Sequence, residues 1–567
     1  MGNAFGIDLG TTYSCIAKID DSGTPSTITI QEEGKDTMAS AVFFESENNV
    51  IVGGNAKEYV ETDGDRVVQF VKRKIGKLDP ATGNPYQFRF FDKDYEPVAI
   101  SAMILKRLKE AAEMQGMEVK DVVITCPAYF GLEERNATKD AGVKAGLNVL
   151  GIINEPTAAA LNYCSREFME EKNIMVYDLG GGTFDVTIVK LGVATDQDGV
   201  QKSKVSVLAT DGDDLLGGAD WDERLYGYIA DKVCEDIGID IADLDAETKQ
   251  TIRSKTEETK KKLSTAESAK VKVKANGSIA NVEVTRAEFE QMTSDLVAKT
   301  MTFMDSAIKK AEMNLPGLSI DTVLLVGGST YMPMIRNAVE ARFPGKVRLE
   351  DPDRAVAKGA AIYANETAKA IEEYIRENPD EVQRIREEAQ SSDVEGGGSQ
   401  AVSDVISKKI DNIIEDQTPR SFGVGVVHNA NGCEDYACNN VIFINTKMPS
   451  QVENEYYLPA DNMSGLNIEV FENVSSSEWV TTPKDIDGNP RTTDPKDQVK
   501  CLGDMHMELA PGLPARTPVK VLMNVSSSGI YVKAFLPASG QSVDVNLEMA
   551  YKKAATSNIK FLSVKGE

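Results

Sequence analysis

Three glycine-rich turns that follow short apolar runs carry the residues best suited to chemistry, namely Gly6–Tyr13, Asp178–Asp185 and Leu325–Thr330. Glycine allows tight turns whose backbone N–H groups can face an anion, and threonine and serine hydroxyls add further donors. In the first two turns a carboxylate, Asp8 or Asp178, would repel a phosphate unless a cation lay between them. Mg²⁺ suits that position because it keeps several of its waters and takes few protein ligands.

One glycine-rich turn is weak evidence, because such a turn is most often only part of a hairpin. Here the first two turns are near-duplicates, with Asp8 and Asp178 standing 170 positions apart, and we expect each to open an antiparallel strand pair. This repetition predicts two related lobes that face a shared cleft, and it favours a nucleotide as the ligand of that cleft.

Strands and helices alternate over the first 365 residues, which is the arrangement that would position these turns. Helical spacing of apolar residues occurs at Ile100–Met114 and Glu133–Ala145. Short β-branched runs occur at Ala4–Leu9, Val122–Cys126, Ile174–Asp178, Val186–Leu191 and Thr322–Val326. The pattern predicts an α/β fold whose strands are covered by helices, with a second lobe starting at about residue 171.

The chain changes character after residue 365. Residues 366–417 predict a linker, with a charged helical stretch at Glu366–Gln390, a Gly/Ser-rich stretch at Ser391–Gln400 and a second amphipathic stretch at Val402–Ile414. Residues 418–567 contain short alternating runs separated by turn residues, which predicts an antiparallel all-β sandwich. These runs are Phe422–Val427, Val441–Asn445, Leu466–Phe471, Val519–Val525, Ile530–Phe535 and Ser542–Leu547.

Composition excludes several classes of function. The 567 residues include 89 acidic and 62 basic ones, and the net charge of -27 argues against broad binding to nucleic acid or to an anionic membrane. Only two histidines, His428 and His506, are present, which argues against a histidine-rich metal site. The seven cysteines are scattered, and we see neither a secretory signal nor a long apolar span, so we expect a cytoplasmic protein with reduced thiols.

Several segments in order resemble the signatures of the heat-shock-70 chaperone family, a branch of the actin and sugar-kinase superfamily. They are Phe5–Ser14, Val71–Arg73, Cys126–Phe130, Ile152–Ala160, Asp178–Val186, Gly217–Asp222, Leu324–Thr330 and Asp351–Asp353. The resemblance covers the first 365 residues almost continuously. It implies an actin-like, two-lobed ATPase domain over 1–365 that hydrolyses ATP to ADP and phosphate, followed by a peptide-binding β-sandwich over 418–567.

The resemblance also implies roles for individual residues around the phosphates. Lys72 matches the lysine that positions the attacking water, and Glu155, Asp178 and Thr183 match residues that orient it. Asp8 and Asp178 match the carboxylates that hold Mg²⁺ largely through its waters, and Asp185 is a candidate for holding a monovalent cation such as K⁺. The matching phosphate-loop residues are Gly10, Thr11, Thr12, Tyr13, Gly180, Gly181, Gly182 and Thr183, with Gly217 and Gly218 beside them.

The adenosine side is implied to lie mainly in the second lobe. The matching residues are Glu257, Lys260, Lys261 and Ser264, with Gly327, Gly328, Ser329 and Asp353 opposite. The family usually has an arginine where Lys261 stands, with its guanidinium plane stacked on adenine. Because lysine cannot stack in that way, we expect weaker nucleotide affinity than is typical of the family. Read from composition alone, Glu257–Lys262 would instead be a solvated helix face.

The β domain resembles the family more faintly. Alignment puts Phe422, Val424, Tyr456, Leu466 and Ile468 at positions of a hydrophobic pocket, and Val427 and Pro459 at an arch over the bound peptide. An extended client polypeptide would gain backbone hydrogen bonds and one apolar pocket there. The alternative is that these residues simply fill the core of the sandwich.

Some positions depart from the family. Gly151 stands where the family has an arginine that helps receive J-domain co-chaperones, and Ala401–Gln417 lacks the leucine run of the family's linker. We expect the helical lid to be missing, because few residues follow Leu547. Pro127 and Arg135 do match the family's proposed switch pair.

Three functions remain open from the sequence. The chain could be an ATP-driven chaperone that binds unfolded or extended clients, aided by a J-domain protein and a nucleotide exchange factor. It could instead be a nucleotide-switched adaptor for one partner. A metabolite kinase on the same scaffold is the third possibility, and the remnants of a peptide-binding domain argue against it.

Overall fold

The computed structural model describes residues 4–165, 171–195, 201–275, 278–390, 403, 406, 414–415, 417–430, 433–485, 488–494, 497–526, 529–547 and 562–563. The chain divides into two compact units, Met1–Ile414 and Glu415–Glu567. Among the residues so described, no helix is long and apolar enough to cross a membrane.

The first lobe of the first unit, residues 4–165, is built on a mixed sheet in the order β11-β10-β1-β2-β3, with β4 also paired to β2. Its strands are β1 Ala4–Asp8, β2 Tyr13–Ile19, β3 Pro25–Thr27, β4 Thr37–Ala39, β5 Val42–Ser46, β6 Asn49–Val52, β7 Val67–Val68, β8 Phe88–Phe90, β9 Lys93–Tyr95, β10 Asp121–Cys126 and β11 Asn148–Asn154. Its helices are α1 Gly54–Glu58, α2 Val60–Asp63, α3 Pro97–Glu113, α4 Leu132–Lys144 and α5 Glu155–Cys164, and short 3₁₀ turns cover Gly64–Arg66 and Val71–Arg73.

The second lobe has a related sheet, in which β18-β17-β12-β13-β14 are consecutive neighbours. Its strands are β12 Lys172–Leu179, β13 Phe184–Thr195, β14 Gln201–Asp213, β15 Ser268–Ala275, β16 Ser278–Thr285, β17 Thr322–Val326 and β18 Val347–Leu349. Its helices are α6 Gly218–Ile237, α7 Ala246–Thr265, α8 Arg286–Met292, α9 Ser294–Asn314 and α10 Pro333–Arg342, with 3₁₀ turns at Ile241–Asp243 and Gly328–Tyr331. Two further helices follow, α11 Ala355–Glu377 and α12 Pro379–Gln390.

The two lobes repeat one local topology, as the duplicated turns predict. In the first lobe β1 runs antiparallel to β2 and parallel to β10. In the second lobe β12 runs antiparallel to β13 and parallel to β17. Each of the first two glycine-rich turns therefore joins an antiparallel pair at the end of a buried strand. The prediction of an α/β, actin-like domain is confirmed.

Helix α11 fastens the two lobes together. It packs on β1 and β2 and along α5 of the first lobe. Its Val356 and Ala360 share an apolar cluster with Val176 and Leu324 of the second lobe. The approach to α5 is so close that a Cβ atom added to Gly359 would lie 1.6 Å from the carbonyl oxygen of Ala158. The boundary that we expected at residue 365 falls inside this helix, which continues without a break to Glu377.

Only part of the expected linker can be described. Helix α12 buries Val382 and Ile385 in the same apolar cluster as Ile406, and that cluster includes α5 residues such as Leu161. Ser403 accepts a hydrogen bond of 3.1 Å from the Asn148 side chain. The Gly/Ser-rich stretch 391–400 lies outside the described residues.

The second unit is an all-β fold with antiparallel pairing between its long strands, which confirms the predicted fold class. The two-residue strand β19 Ile414–Glu415 falls at the boundary between the two units. The strands of the second unit are β20 Ser421–Ala430, β21 Cys433–Ile442, β22 Ser450–Tyr457, β23 Gly465–Asn473, β24 Trp479–Thr481, β25 Lys500–Glu508, β26 Pro518–Ser526, β27 Gly529–Leu536, β28 Gln541–Asn546 and β29 Leu562–Ser563. The run Val441–Asn445 coincides with a strand only at its start, because β21 ends at Ile442.

Candidate functional site

A buried ion pair between Lys72 and Glu155 lies at the centre of the candidate site. Lys72 belongs to the 3₁₀ turn Val71–Arg73, and Glu155 is the first residue of α5, where the helix dipole favours an acidic side chain. The two residues are only 3% and 7% exposed. Burial alone would lower the pKa of Lys72, but the attraction of Glu155 and Asp8 outweighs it and holds that pKa above its usual value.

Three aspartates share this region with Glu155. Asp8 ends β1 and accepts a 3.0 Å hydrogen bond from the Thr125 hydroxyl, while Asp178 and Asp185 face each other across β12 and β13. Burial and the neighbouring charge of Glu155 raise the pKa of Asp8 to about 7, although Lys72 opposes the shift. The same two causes raise the pKa values of Asp178 and Asp185 well above the ordinary range.

This carboxylate group is suited to a bound cation. Four carboxyl groups interact with a single lysine, and the Oδ1 atom of Asp185 is buried without a hydrogen-bond partner. An added positive charge would relieve that repulsion and lower the raised pKa values. Within the described ranges no three His, Cys, Asp or Glu side chains converge closely enough to hold a metal ion together.

The two phosphate turns meet directly across the cleft. A Cβ atom at Gly181 would lie 1.9 Å from the Thr12 hydroxyl oxygen, and one at Gly182 would lie 2.5 Å from Cγ2 of Thr11. Glycine is thus required in the second turn because the first turn occupies the space that a side chain would need. The structure places Gly10 and Thr183 at the bases of these turns, where Gly10 N–H donates to Ser14 and Gly180 N–H donates to the Thr183 carbonyl.

The N-terminus of α6 completes the second turn. Gly218 N–H donates to the Gly180 carbonyl at 2.9 Å, and a Cβ atom at Gly217 would lie 2.5 Å from the Gly182 nitrogen. Helix N-termini carry free N–H groups and a partial positive charge. These glycines therefore stand where a phosphate could be bound.

Arg73 joins the lobes beside Lys72, and our sequence analysis assigned it no role. Its Nε donates to the Gly182 carbonyl at 2.9 Å, and its Nη2 pairs with Asp220 at 2.8 Å. Lys77, one turn further on, pairs with Asp214 of the second lobe at 2.5 Å. The basic run Lys72–Arg73–Lys74 was the available signal, but the sequence does not reveal which partners a basic residue will find.

A second set of contacts closes the cleft at Tyr13. Glu257 of α7 pairs with Lys57 of the first lobe and, at 2.7 Å, with Lys261 on its own helix. The Tyr13 hydroxyl donates to Glu257 at 3.1 Å and accepts from Lys261 at 2.9 Å. Burial would raise the pKa of Glu257, but Lys57 and Lys261 outweigh it and lower that pKa to about 2. Lys57 is another contact that the sequence did not disclose.

The other residues predicted on the adenosine side contact either the second glycine-rich turn or the strand and helix next to it. Lys260 reaches the N-terminus of α6, where its Nζ donates to the Gly218 carbonyl at 2.9 Å and pairs with Asp222 at 2.7 Å. Ser329 donates to the Gly180 carbonyl at 2.9 Å, which ties the third glycine-rich turn to the second. Gly327 has φ 84°, and a Cβ atom there would lie 2.3 Å from the Leu179 carbonyl oxygen.

A cavity of about 700 Å³ lies beside this third turn. Ser264 from the end of α7, Thr330 and Tyr331 line one part of it, and Arg336 and Arg348 line another. Gly328 begins the 3₁₀ turn that ends with Tyr331. The Tyr331 hydroxyl donates to Asp353 at 3.2 Å. From the sequence, Ser264 and Asp353 were expected on the adenosine side, whereas Tyr331, which directly follows the Leu324–Thr330 segment, had no predicted role.

Arg135, one member of the expected switch pair, has partners in two neighbouring segments. Arg135 donates from Nε to the Phe130 carbonyl at 3.1 Å and from Nη2 to the Asn154 side chain. It thereby touches the residue before Glu155. Gly151 lies in β11 opposite Val123, and a Cβ atom there would meet only the ring of Tyr363, at 3.8 Å.

The predicted peptide-site residues of the second unit are mostly in its core. Tyr456, Leu466 and Ile468 are at most 2% exposed, and Phe422 and Val424 are also buried. Val427, one of the remaining two, is also buried. Val427 packs with Tyr436, Cys438, Phe471 and Val480, and Pro459 is exposed. Because side chains alternate along a strand, Val424 and Val427 of β20 project to opposite faces of the sheet.

Tyr456 also takes part in polar contacts. Its hydroxyl donates to the Asn439 side chain at 2.8 Å, and Asn440 and Asn473 exchange amide hydrogen bonds of 3.2 and 2.8 Å nearby in the same sheet. These buried polar groups are satisfied by one another, which specifies a single packing of the sheet.

Comparison with known proteins is consistent with this geometry. Residues 4–369 match the family model described as Hsp70 protein. The chain is similar to the chaperone protein DnaK of Thermotoga neapolitana, with 42% identity over 369 residues, which cover 63% of this chain and 58% of that relative. The chaperone protein DnaK of Thermotoga petrophila is 41% identical with the same coverage. The chain thus spans less than two thirds of the length of these relatives.

Proposed function

Because the chain belongs to the Hsp70 family, we propose that it binds ATP in the cleft of its first unit and hydrolyses it to ADP and phosphate. The observation that carries the proposal is the buried Lys72–Glu155 pair, surrounded by aspartates and placed beside two glycine turns that touch each other. A buried ammonium and four carboxyl groups serve no evident purpose in a packed core, since charges are costly to bury. They suit a ligand that brings both negative charge and a cation.

In this proposal the chain acts by positioning and electrostatics, as phosphoryl transfer requires. The turns around Thr11, Thr12 and Gly180–Gly182 bind the phosphates through N–H and hydroxyl groups. Glu155 holds the Lys72 ammonium where charge develops as water attacks the γ-phosphorus, and Asp178 and Thr183 orient that water. ADP is the leaving group, and Tyr13 lies at its side of the cleft.

The metal in this proposal is Mg²⁺, which would neutralise part of the phosphate charge. Asp8 and Asp178 would hold it, mainly through its waters, because hard cations prefer oxygen ligands and Mg²⁺ dehydrates reluctantly. The buried Oδ1 atom of Asp185, which has no hydrogen-bond partner, supports a further monovalent cation such as K⁺ beside that residue. The proposal includes a cytoplasmic location, where both cations are abundant.

The adenosine would extend from the phosphate turns toward α7 and the third glycine turn. The ribose would lie near Glu257, Lys260 and Lys261, and the base near Ser264. This direction is supported by the Ser329–Gly180 hydrogen bond, since Ser329 directly precedes Thr330, a residue that lines the cavity.

The decisive experiment replaces Lys72 by alanine. We expect Lys72→Ala to bind Mg-ATP about as tightly as the parent chain and to turn it over about 10²- to 10³-fold more slowly. Single-turnover hydrolysis and equilibrium titration measure the two quantities. Lys106→Ala, at a lysine whose side chain is 65% exposed, is the matched control and should behave as the parent. Unchanged turnover in Lys72→Ala would remove this residue from the mechanism.

The wider function that we propose is that of a chaperone whose second unit binds unfolded or extended clients under control of the nucleotide. Its support is the family and the antiparallel β architecture of the second unit. J-domain and nucleotide exchange partners belong to the same proposal. Gly151, which lacks the side chain expected for a J-domain contact, weakens that part of it.

One observation favours the alternative of an adaptor for a single partner. Phe422, Val424, Tyr456, Leu466 and Ile468 are buried in the folded second unit, so an apolar client would have to displace core packing to reach them. ATPase rates measured with a panel of unrelated apolar peptides separate the two functions. Stimulation by many peptides supports the chaperone, whereas silence to all of them supports the adaptor.

A further inference from the structure

We infer that β29, the segment Leu562–Ser563, occupies the place in the second unit where an extended client would bind, so that a client must displace it. The inference rests on the proposed function, since it requires the second unit to bind extended polypeptides. It adds a regulator to that function, namely a segment of the same chain that competes with the client.

Strand β29 joins two groups of strands that are not otherwise paired with each other in the described part of the unit. One group contains β20, β21, β23, β24 and β25, and the other contains β22, β26, β27 and β28. Strand β29 lies between β20 and β22. Without it the described strands would form two separate sheets, and the edges of β20 and β22 would face a gap one strand wide.

The edge of β20 that β29 occupies is available for an added strand. Strand β23 pairs with this edge over Ser421–Val424. Strand β29 takes the next positions, with Val426 opposite Leu562 and Val427 opposite Ser563. The other edge of β20 is already paired with β21 through this stretch. Val427, which was expected at the arch over a bound peptide, thus lies beside a strand of its own chain.

Strand β22 is paired much more extensively on its other side. It pairs with β26 along all eight of its residues, Ser450–Tyr457. Its described pairing with β29 is limited to Tyr457 opposite Ser563. Strand β29 has only two residues and runs parallel to β20, and parallel pairing is the slightly less stable kind. So short a strand forms few hydrogen bonds, so β29 can leave while β22 and β26 stay paired.

The gap between β20 and β22 suits an extended polypeptide. A peptide that joins a sheet edge gains backbone hydrogen bonds, and here it would have an edge on each side. Val426, Val427 and Tyr457 on those edges are at most 8% exposed, so hydrogen bonds formed beside them are shielded from water. Backbone pairing also leaves these side chains in place, so a client need not displace the core packing to bind there.

The sequence around β29 indicates which clients the gap accepts. Phe561, Leu562 and Val564 are apolar, as a competing client should be. A lysine flanks them on each side, and no acidic residue occurs over 558–565. The chain as a whole has a net charge of -27, which would repel an acidic peptide and attract a basic one. The client is therefore an apolar, extended segment with basic flanks.

Competition within one chain lowers the apparent affinity of a client. Because β29 belongs to the same molecule, its binding is intramolecular and needs no second component. If β29 is in place in about nine molecules of ten, a free peptide binds about tenfold more weakly than it would to the vacant gap. Client binding is then controlled by this segment as well as by the nucleotide.

The test replaces Ser563, which pairs with both neighbouring strands, by proline in the full chain. Proline has no N–H to donate and is incompatible with a strand paired on both edges. Amide hydrogen exchange at residues 425–427 reports the pairing of β29, and exchange in β26 reports the integrity of the fold. Anisotropy of a labelled peptide with the sequence of residues 559–565 reports binding to the gap.

We expect Ser563→Pro to bind this peptide about tenfold more tightly than the parent chain. Residues 425–427 should exchange faster in the variant, and the added peptide should restore slow exchange there, while β26 stays protected. Ser563→Thr keeps the N–H group and is the matched control, which should behave as the parent. The same peptide with both lysines replaced by glutamate should bind more weakly to Ser563→Pro.

Each outcome has a distinct meaning. Equal exchange at residues 425–427 in the parent and in Ser563→Pro would show that β29 is not paired there, and the inference fails. Faster exchange without tighter peptide binding would place the client elsewhere, which also overturns it. Faster exchange in β26 as well would make β29 an integral strand of the fold and not a displaceable one. If neither chain binds this peptide or any of the unrelated apolar peptides, client binding itself fails, and with it the proposed function of the second unit.

Discussion

In the cleft of the first unit the least exposed functional side chains are charged, whereas in the β unit they are apolar. Lys72 and Glu155 are 3% and 7% exposed, and Leu466 and Ile468 are fully buried. Burying a charge costs several kcal/mol unless a partner compensates, whereas burying an aliphatic side chain stabilises the fold by itself. Burial therefore points to function in the cleft, while in the β unit it is explained by folding alone.

The largest effect is expected for Glu155→Gln, which tests whether the buried charges of the cleft serve catalysis. The amide keeps the size of the side chain but removes the charge that holds the Lys72 ammonium, so we expect single-turnover ATP hydrolysis to fall by about 10²- to 10³-fold. Glu110→Gln, at a glutamate whose side chain is 42% exposed, is the matched control and should retain the parent rate. A Glu155→Gln chain with the parent rate would show that the buried pair is structural.

Leu466→Ala tests whether burial in the β unit is explained by folding alone. If Leu466 is core, the change lowers the free energy of unfolding of the second unit by about 2 to 5 kcal/mol. If it lines a peptide pocket, stability changes little and affinity for apolar peptides falls. Urea unfolding can follow Trp479 alone in a Trp221→Phe background, since these are the only two tryptophans of the chain.

The control for that experiment is Phe535→Ala in the same unit, where the side chain is already 37% exposed and the loss should be smaller. A loss at Leu466 no greater than at Phe535, combined with weaker peptide binding, would reverse our reading of the β unit. The buried residues of the β unit would then have a role in function, as those of the cleft do.

A smaller effect is expected at the closing contact of the cleft. Glu257→Gln weakens the pairing with Lys57 and Lys261, so bound nucleotide should dissociate about two- to tenfold faster. Stopped-flow release of a fluorescent ATP analogue measures the rate. Glu258→Gln, on the same helix but paired only with Lys262 at the surface, is the control. An unchanged rate in Glu257→Gln would exclude this contact as a barrier to release.

The same contact predicts a flat pH profile. Because the pKa of Glu257 is lowered to about 2 in the folded chain, the stability that its charge adds is complete above the ordinary glutamate pKa of 4.5 and disappears only as pH falls toward 2. The release rate attributable to this pair should therefore not change between about pH 6 and 8.

Much of the first unit could be predicted from the sequence, because its signals are local. Glycines at 10, 180–182 and 327 mark turns whose backbone must approach other atoms closely, and alternating apolar strands and helices mark the layers. The second unit was harder to predict. Strands β22 and β25 were missed because charged and polar residues alternate along them, as in Ser450–Tyr457, and hide the shorter apolar series.

The contacts that no local signal could provide are those between distant positions. Arg73 meets Gly182, Lys57 meets Glu257, and Tyr331 meets Asp353 only after the lobes have folded. A charged residue in a sequence has many possible partners, and the choice depends on the geometry of both lobes. The contacts of Lys261 with Tyr13 and Glu257 are of the same kind, and no local signal in the sequence predicts them.

The contact between the two phosphate turns has a consequence for how this chain can vary. Gly181 is packed against Thr12 across the cleft, and Gly359 of α11 is packed against Ala158 of α5. No larger residue fits at either glycine without displacing these neighbours. A mutational library of the chain should therefore contain almost no functional variants at these two positions. At exposed positions such as Phe535 many amino acids should be tolerated. Intolerance to every substitution would therefore mark the positions where one backbone segment lies directly against another.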